Sequence, residues 1–341
     1  MFDLSRPVLE QHSLDMRQFI DAQQATLSNG MRIIHIHNSS GLTFSILPDR
    51  GFDIWTAHYH GIPLTWISQG SPHPPEFATP WMRQFNGGLL TTCGLRHVGP
   101  PETDSITGEN RDIHGLYSRL RALNLSTHAR WESNHYILEV SGQVAENRLF
   151  GEQLLLQRAY RLVLGEPTIE IVDTVSNLAD TPSPFMLLYH FNVGYPLVRQ
   201  GSRLYLPVQA TRPRDEAAQA GFDTWDTYGE ATAGYAEQVF YHVLKQRDGW
   251  ANTILSNEDI ALELSWDTRH APFFTQWKNT RQGIYVSGIE PGNCIPEGQN
   301  AARESGRLVM LQPGEQHTFT CRLRLLSGKG TIQERIKAIH T

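Results

Sequence analysis

The chain has 341 residues, enough for one large β domain or two ordinary ones, and its 29 Lys plus Arg against 35 Asp plus Glu give a formal charge of −6, with both signs spread along its length. Arg119, Arg121, Arg322 and Arg324 alternate with apolar residues instead of forming a basic run, which argues against nucleic acid as a partner. Cys93, Cys294 and Cys321 are far apart and form no C-x-x-C pair, residues 1–20 carry Asp3, Arg6, Glu10, Asp15 and Arg17, and no apolar stretch reaches bilayer length; zinc, disulfides, a secretory signal and a membrane span are not expected, and a cytoplasmic protein is.

In chain order, residues 14–24 read as a short helix inside an N-terminal extension, 1–26. Residues 31–37 and 42–47 then alternate apolar and polar side chains, the period of a half-buried strand, between the turn signals Ser28-Asn29-Gly30 and Pro48-Asp49-Arg50-Gly51. Residues 68–79, rich in Pro and Ser, read as a long surface loop. Strand alternation returns at 136–144 and 168–175, followed by a loop-rich insertion at 207–237 that is either a rim over a site or inert, with a helical pattern at 214–220. Further strands are expected at 260–266, 284–289 and 318–325, the last preceded by Pro313-Gly314-Glu315, and residues 332–339 form a terminal amphipathic turn or two. Helices do not alternate with strands, so the expectation is an all-β antiparallel fold, with 1–341 as a single domain. Exposed sheet edges could pair into a homodimer.

Phosphate-cradling Gly loops, the nucleophile elbow and the H-E-x-x-H zinc pattern are absent. His35/His37 and His58/His60 each share a strand face, but no carboxylate or third histidine stands at ligand spacing, so no metal site is assigned. Cys93 reads as a buried structural thiol. Three segments place titratable residues inside apolar strand text: Asp112-Ile113-His114-Gly115-Leu116-Tyr117-Ser118-Arg119, then His190-Phe191-Asn192-Val193-Gly194-Tyr195-Pro196, then Glu290-Pro291-Gly292-Asn293. A histidine and a carboxylate at strand ends are what general acid and base catalysis needs, although spacing alone does not bring them together.

Taken in order, His114-Gly115-x-x-x-Arg119, His190-x-Asn192-x-Gly194-x-Pro196, Glu290-Pro291 and the turn Leu311-x-Pro313-Gly314-Glu315 resemble the aldose 1-epimerase, or galactose mutarotase-like, superfamily. The DUF4432 branch is the part of it that the chain most resembles. Residues 46–54, residues 87–95 and Glu237-Gln238-Val239-Phe240 are also similar to that branch, and the likeness runs from about residue 27 to 326. The resemblance implies an antiparallel β-supersandwich of the galactose mutarotase type, with a sugar cleft on one concave face, no cofactor, and a monosaccharide or sugar phosphate as partner. It gives His190 the place of the general acid and Glu290 that of the general base. His114 resembles a second sugar-binding histidine and Arg119 the arginine of hexose-phosphate epimerase relatives, while Asn192 and Trp277 would hold the sugar.

The chain also departs from that pattern. Asn86 stands where those relatives carry an arginine, with Arg83 a little upstream; the mid-chain carboxylate falls to Glu237 or, second, Asp226; and Ile295-Pro296-Glu297-Gly298 replaces the usual Pro-Asp-Ala. Arg119, with Arg96 and His97 nearby, raises a phosphorylated or acidic sugar. Two other readings stay open: a non-catalytic sugar-binding or sensing protein, and a glycoside hydrolase or polysaccharide lyase, against which stand the lack of a second catalytic domain and of an export signal.

Overall fold

In the computed structural model, which describes residues 3–70 and 72–340, the alternating segments pair into antiparallel sheets. The first sheet is an up-and-down run of Ile20–Thr26, Arg32–Asn38, Leu42–Leu47, Asp53–Tyr59 and Ile62–Pro63. An eight-stranded sheet follows the order Arg203–Tyr205, Trp250–Ser256, Ile260–Asp267, Gln316–Ser327, Thr168–Asn177, Gln153–Val163, His135–Asn147 and Leu123–Glu132. The third sheet carries the strands that matter most for function: β1 (Leu90–Leu95), β2 (Ser183–Gly194), β3 (Val208–Pro213), β4 (Gln238–Leu244), β5 (Phe273–Arg281) and β6 (Ile284–Gly292). Its order is β3-β4-β5-β6-β2, and β1 and Val309–Leu311 both pair with β2. The all-β antiparallel expectation holds, with the five-stranded sheet added to the two large ones.

The helix expected at 14–24 is not formed. Only a single 3₁₀ turn, Met16–Gln18, precedes a strand, Ile20–Thr26, which pairs residue by residue with Arg32–Asn38 from Ile20↔Asn38 to Thr26↔Arg32. The tight turn at 27–31, with Gly30 at φ +85°, brings the two segments together, and sheet hydrogen bonding then outweighs local helix propensity. The helical pattern at 214–220 forms only from Glu216 to Ala220, because Asp215 caps it by accepting from Ala218 N at 3.0 Å. The insertion at 207–237 is not all loop: its first residues are β3, the edge of the third sheet. The terminal pattern lies within the helix Lys329–His340. Among the described residues no helix is long and apolar enough to cross a membrane.

Inward side chains of all three sheets share one hydrophobic cluster, with Ile36, Phe44 and Ile54 from the first, Leu156, Ile171 and Leu323 from the second, and Phe191, Phe274 and Ile289 from the third. At its centre is a cation. Arg158 is 1 % exposed and forks onto Asp173 (Nε to Oδ1 2.8 Å, Nη2 to Oδ2 2.7 Å), while Nη1 reaches Asp53 Oδ1 at 2.6 Å and Nη2 also reaches Thr92 Oγ1 at 2.9 Å. Tyr189 Oη donates to Asp173 Oδ2 at 2.7 Å and Thr92 N to Asp53 Oδ2 at 2.7 Å. These residues come from all three sheets, so one guanidinium fixes their mutual position.

Replacing Arg158 by Leu leaves two buried carboxylates without their counter-ion. The expected loss is about 3–5 kcal/mol, read as a fall in the midpoint of urea unfolding; a loss below about 1 kcal/mol would remove the node from the fold's determinants.

Candidate active site

Register on the third sheet assembles the site. β2 and β6 pair Leu188 with Gly292 and Phe191 with Ile289, which sets His190 level with Glu290. β6 in turn sets Glu290 opposite Thr275 and Gly288 opposite Trp277 on β5; β4 adds Tyr241 opposite Thr275, and β3 adds Arg212 opposite Tyr241. Directly opposed residues share a face, so Arg212, Tyr241, Thr275, Glu290 and His190 form one transverse row, and Trp277, Gly288 and Asn192 lie in the next. Their neighbours Phe191, Phe274 and Ile289 point the other way, into the core.

His190 Nε2 lies 3.2 Å from Glu290 Oε1, both residues being buried, yet the ring N–H is not aimed along that line and Glu290 Oε1 has no hydrogen-bond partner. Other buried polar atoms in the same two rows also lack one: His190 Nδ1, Asn192 Oδ1, Thr275 Oγ1 and Tyr241 Oη. Buried polar groups are nearly always satisfied, so a cluster of orphans on one sheet face marks a place prepared for a polar ligand. Gly288 makes the carboxylate's position attainable. A methyl there would run into Glu290 Oε1 and lie 2.8 Å from Trp277 Cβ and 3.3 Å from His190 Cε1.

Aromatic rings close around the histidine. Trp277 lies 5.4 Å and Phe85 6.0 Å from His190 between ring centroids, Trp66 touches both at 6.0 and 5.8 Å, and Trp81 stacks on Phe85 at 4.3 Å. His114 completes a second circuit, 6.2 Å from His190 and 5.1 Å from Trp81. Its turn is tight: His114 has φ +56° and is held by Gly99 O accepting from its N–H at 3.0 Å and by Gly94 N donating to its carbonyl at 3.1 Å. Gly115 follows at φ +74°, where any Cβ would lie 2.7 Å from the carbonyls of Gly94 and His97.

Burial of this kind disfavours charge. It lowers His190 to about 4, and, with the neighbouring imidazoles of His190 and His97, His114 to about 3. Burial, reinforced by the negative charge of Glu237 and partly offset by Arg214, holds Glu290 well above the usual carboxylate range. Burial thus favours the neutral form of each group, imidazole for His190 and carboxylic acid for Glu290.

The expected site residues do not all meet. Glu237 flanks the second row: its carboxylate accepts from Trp277 Nε1 at 2.8 Å and from Arg214 Nη2 at 3.1 Å. Asn192 is turned onto backbone, donating to Gly88 O and His190 O at 3.0 Å each. Asn86 donates to Gly87 O at 3.1 Å, one residue from Phe85. Arg119 is buried under the His114 turn, donating to Thr79 O and Gly115 O at 3.2 Å each and pairing with Asp112 at 3.2 Å, so it braces the turn. Arg96 is taken up by Glu109 and Glu152, His97 reaches Pro100 O, and Asp226 pairs with Arg203 away from this face. Cys93 is buried, and burial pushes its thiol well up. Sequence reasoning missed Trp66, Trp81, Phe85, Thr275, Tyr241 and Gly288; strand alternation assigns faces only once the register is known. Among the described residues no group of three or more His, Cys, Asp or Glu could hold a metal ion.

The sequence pattern of a family described as a domain of unknown function, DUF4432, matches residues 28–325. No curated protein sequence matches the chain. A solved structure from Klebsiella pneumoniae subsp. pneumoniae, provisionally named an aldose 1-epimerase, is 26% identical over 94% of this chain and 88% of its own, with a TM-score of 0.88. The galactose 1-epimerase from Lactobacillus acidophilus is 14% identical over 91% of this chain and 99% of its own, with a TM-score of 0.61. A galactose mutarotase-like protein from Clostridium acetobutylicum is 12% identical over 91% and 100%, also at 0.61. The last two likenesses are of fold, and the fold is the galactose mutarotase type.

With ¹³C-labelled histidine, the ring signals of His190 and His114, assigned through His190→Gln and His114→Gln, are expected to stay in their neutral positions from about pH 8 down to about pH 5, because burial lowers both groups. A midpoint near the ordinary value of about 6.5 for either ring would contradict the closed aromatic surround.

Proposed function

The chain belongs to the DUF4432 family, and from that membership and its galactose mutarotase-type fold we propose that it is an aldose 1-epimerase-like isomerase, interconverting the anomers of a monosaccharide by ring opening and closure. The observation that carries the reading is the buried His190–Glu290 contact of 3.2 Å with its unpartnered carboxylate oxygen. Mutarotation needs one proton taken from the anomeric hydroxyl and one given to the ring oxygen, and an adjacent acid and base that hold a single proton between them meet that need without any change in net charge.

In ring opening Glu290, as carboxylate, takes the anomeric proton while His190, as imidazolium, protonates the ring oxygen. The pair is then left with its proton on Glu290, the arrangement that burial favours in the empty site. Rotation about the C1–C2 bond turns the aldehyde over. On reclosure Glu290 returns a proton to the carbonyl oxygen and His190 accepts the one from the ring hydroxyl. Glu237, His114 and Asn192 hold sugar hydroxyls, and Trp277 offers a ring to the apolar face of the sugar. Each positioned acid or base contributes typically about 10²–10⁴-fold.

The test is exchange NMR of anomer interconversion over a panel of monosaccharides. Glu290→Gln and His190→Gln are each expected to lower kcat by roughly 10²–10⁴-fold. Binding without acceleration by the wild type would leave a sugar-binding protein instead. Gly288→Ala, by pushing Glu290 off its position, is expected to cost about 10²-fold with the fold intact. The rate should fall as the pH drops through about 4, where His190 is protonated as well as Glu290, and fall again on the alkaline side once Glu290, held high by burial, gives up its proton. A bell centred between two ordinary carboxylate and imidazole values would refute the shared-proton description.

A further inference from the structure

We propose that the sugar carries an oxyanion, a carboxylate or a phosphate, at the end remote from its anomeric carbon, and that Arg212, with Arg307 beside it, receives that group. The inference rests on the epimerase reading of the cleft and adds the substrate's chemical class.

Three observations meet at this corner. Arg212 occupies the same transverse row as Tyr241, Thr275, Glu290 and His190, three strands from the carboxylate. Its guanidinium lies over the ring of Tyr241, 4.7 Å from the centroid, which places the charge two to three strand spacings, about 10–14 Å, from the strand of Glu290. The lower end of that range is about what a pyranose bridges between its anomeric centre and a charged group on its last carbon. Between the two ends stand Thr275 Oγ1 and Tyr241 Oη, both buried and both without a partner.

The charges at this corner do not balance. Arg212 Nη2 and Arg307 Nη2 each lie 2.9 Å from an oxygen of the one carboxylate of Glu297, so two cations share a single anion. Half or more of the Arg212 side chain is open to solvent, and it is free to exchange part of that pairing for a ligand. The adjacent row, two residues along the same edge strand, differs. There Arg214 is matched by Asp215 and Glu237, and the carboxylates suit hydroxyl groups. The arginines that first suggested a charged substrate, Arg96 and Arg119, are spent on Glu109, Glu152 and Asp112. A guanidinium pair matches a planar carboxylate or a phosphate through parallel N–H donors.

The experiment compares galactose, galacturonate and galactose 6-phosphate as probes, by exchange NMR for turnover and by calorimetry for binding, with wild type, Arg212→Ala, Arg212→Lys and Arg212→Ala/Arg307→Ala. For the wild type, kcat/KM for at least one of the two acidic sugars is expected to exceed that for galactose by tenfold or more, and the better of the two names the oxyanion. Arg212→Ala should raise KM for that sugar by about tenfold with kcat nearly kept, the double variant should raise it further, and Arg212→Lys should restore part of it. An acidic-to-neutral ratio near one in the wild type, or one that Arg212→Ala leaves unchanged, overturns the proposal. If none of the three sugars is accelerated, the epimerase reading fails separately, and calorimetry still decides the subsite: tighter binding of an acidic sugar that weakens in Arg212→Ala supports it, and equal binding of all three rejects it.

Discussion

One buried guanidinium sets the frame on which the rest of the molecule depends. Arg158 reaches a carboxylate of the first sheet, a carboxylate of its own sheet and the hydroxyl of Thr92 on the third, with almost no contact with water. Removing a cation from water costs several kcal/mol, and only close pairing with both Asp53 and Asp173 repays it. The pairing is directional, because a guanidinium fork tolerates few carboxylate positions. The three sheets are thus held at a fixed offset, which hydrophobic contact alone would leave free to slide.

The frame reaches the cleft through strand parity. Tyr189 points inward and donates to Asp173; the next residue, His190, points outward to Glu290. Thr92 points inward to Asp53 and Arg158, and its neighbour Thr91 lies beside His190 on the cleft face. Each inward anchor is one peptide away from a residue of the cleft, so the core node and the cleft are two faces of the same two strands. Few loops intervene, which suits the proton transfer proposed for His190 and Glu290, since it needs their separation held within a fraction of an ångström.

Around that pair the chain keeps groups that cost stability. Glu290, His190, Asn192, Thr275 and Tyr241 all present buried atoms with no partner, each an unfavourable feature in a core. The aromatic rings of Trp66, Phe85 and Trp277 deepen the penalty by excluding water, and they shift both titrating groups towards their neutral forms. The same exclusion strengthens every hydrogen bond a ligand makes there. Charge is also unevenly placed, with Glu237 held by Arg214 and Trp277 in one row and Glu297 shared by Arg212 and Arg307 in the other.

Much of the fold was legible from local pattern, since alternation at 42–47, 136–144, 168–175 and 318–325, closed by Gly, Pro and Asn turns, specifies antiparallel strands through each residue's own neighbours. The stretch 14–24 misled because its helical spacing is local, whereas the partner that makes Ile20–Thr26 a strand lies across a turn. His114, His190, Asn192 and Glu290 could be picked out as polar residues in apolar text, and Glu237 and Asn86 through the family pattern. Arg119 illustrates the limit: its place in the motif is plain, but the direction of its side chain, towards Thr79, Gly115 and Asp112, belongs to the packing of a turn. The sequence by itself determined strand type, turn positions and family. Only the tertiary structure decided which faces meet, that Glu290 stands level with His190 and that Arg212 joins the row, because register depends on contacts between residues tens of positions to a hundred positions apart and a shift of one residue would send every one of these side chains to the other face.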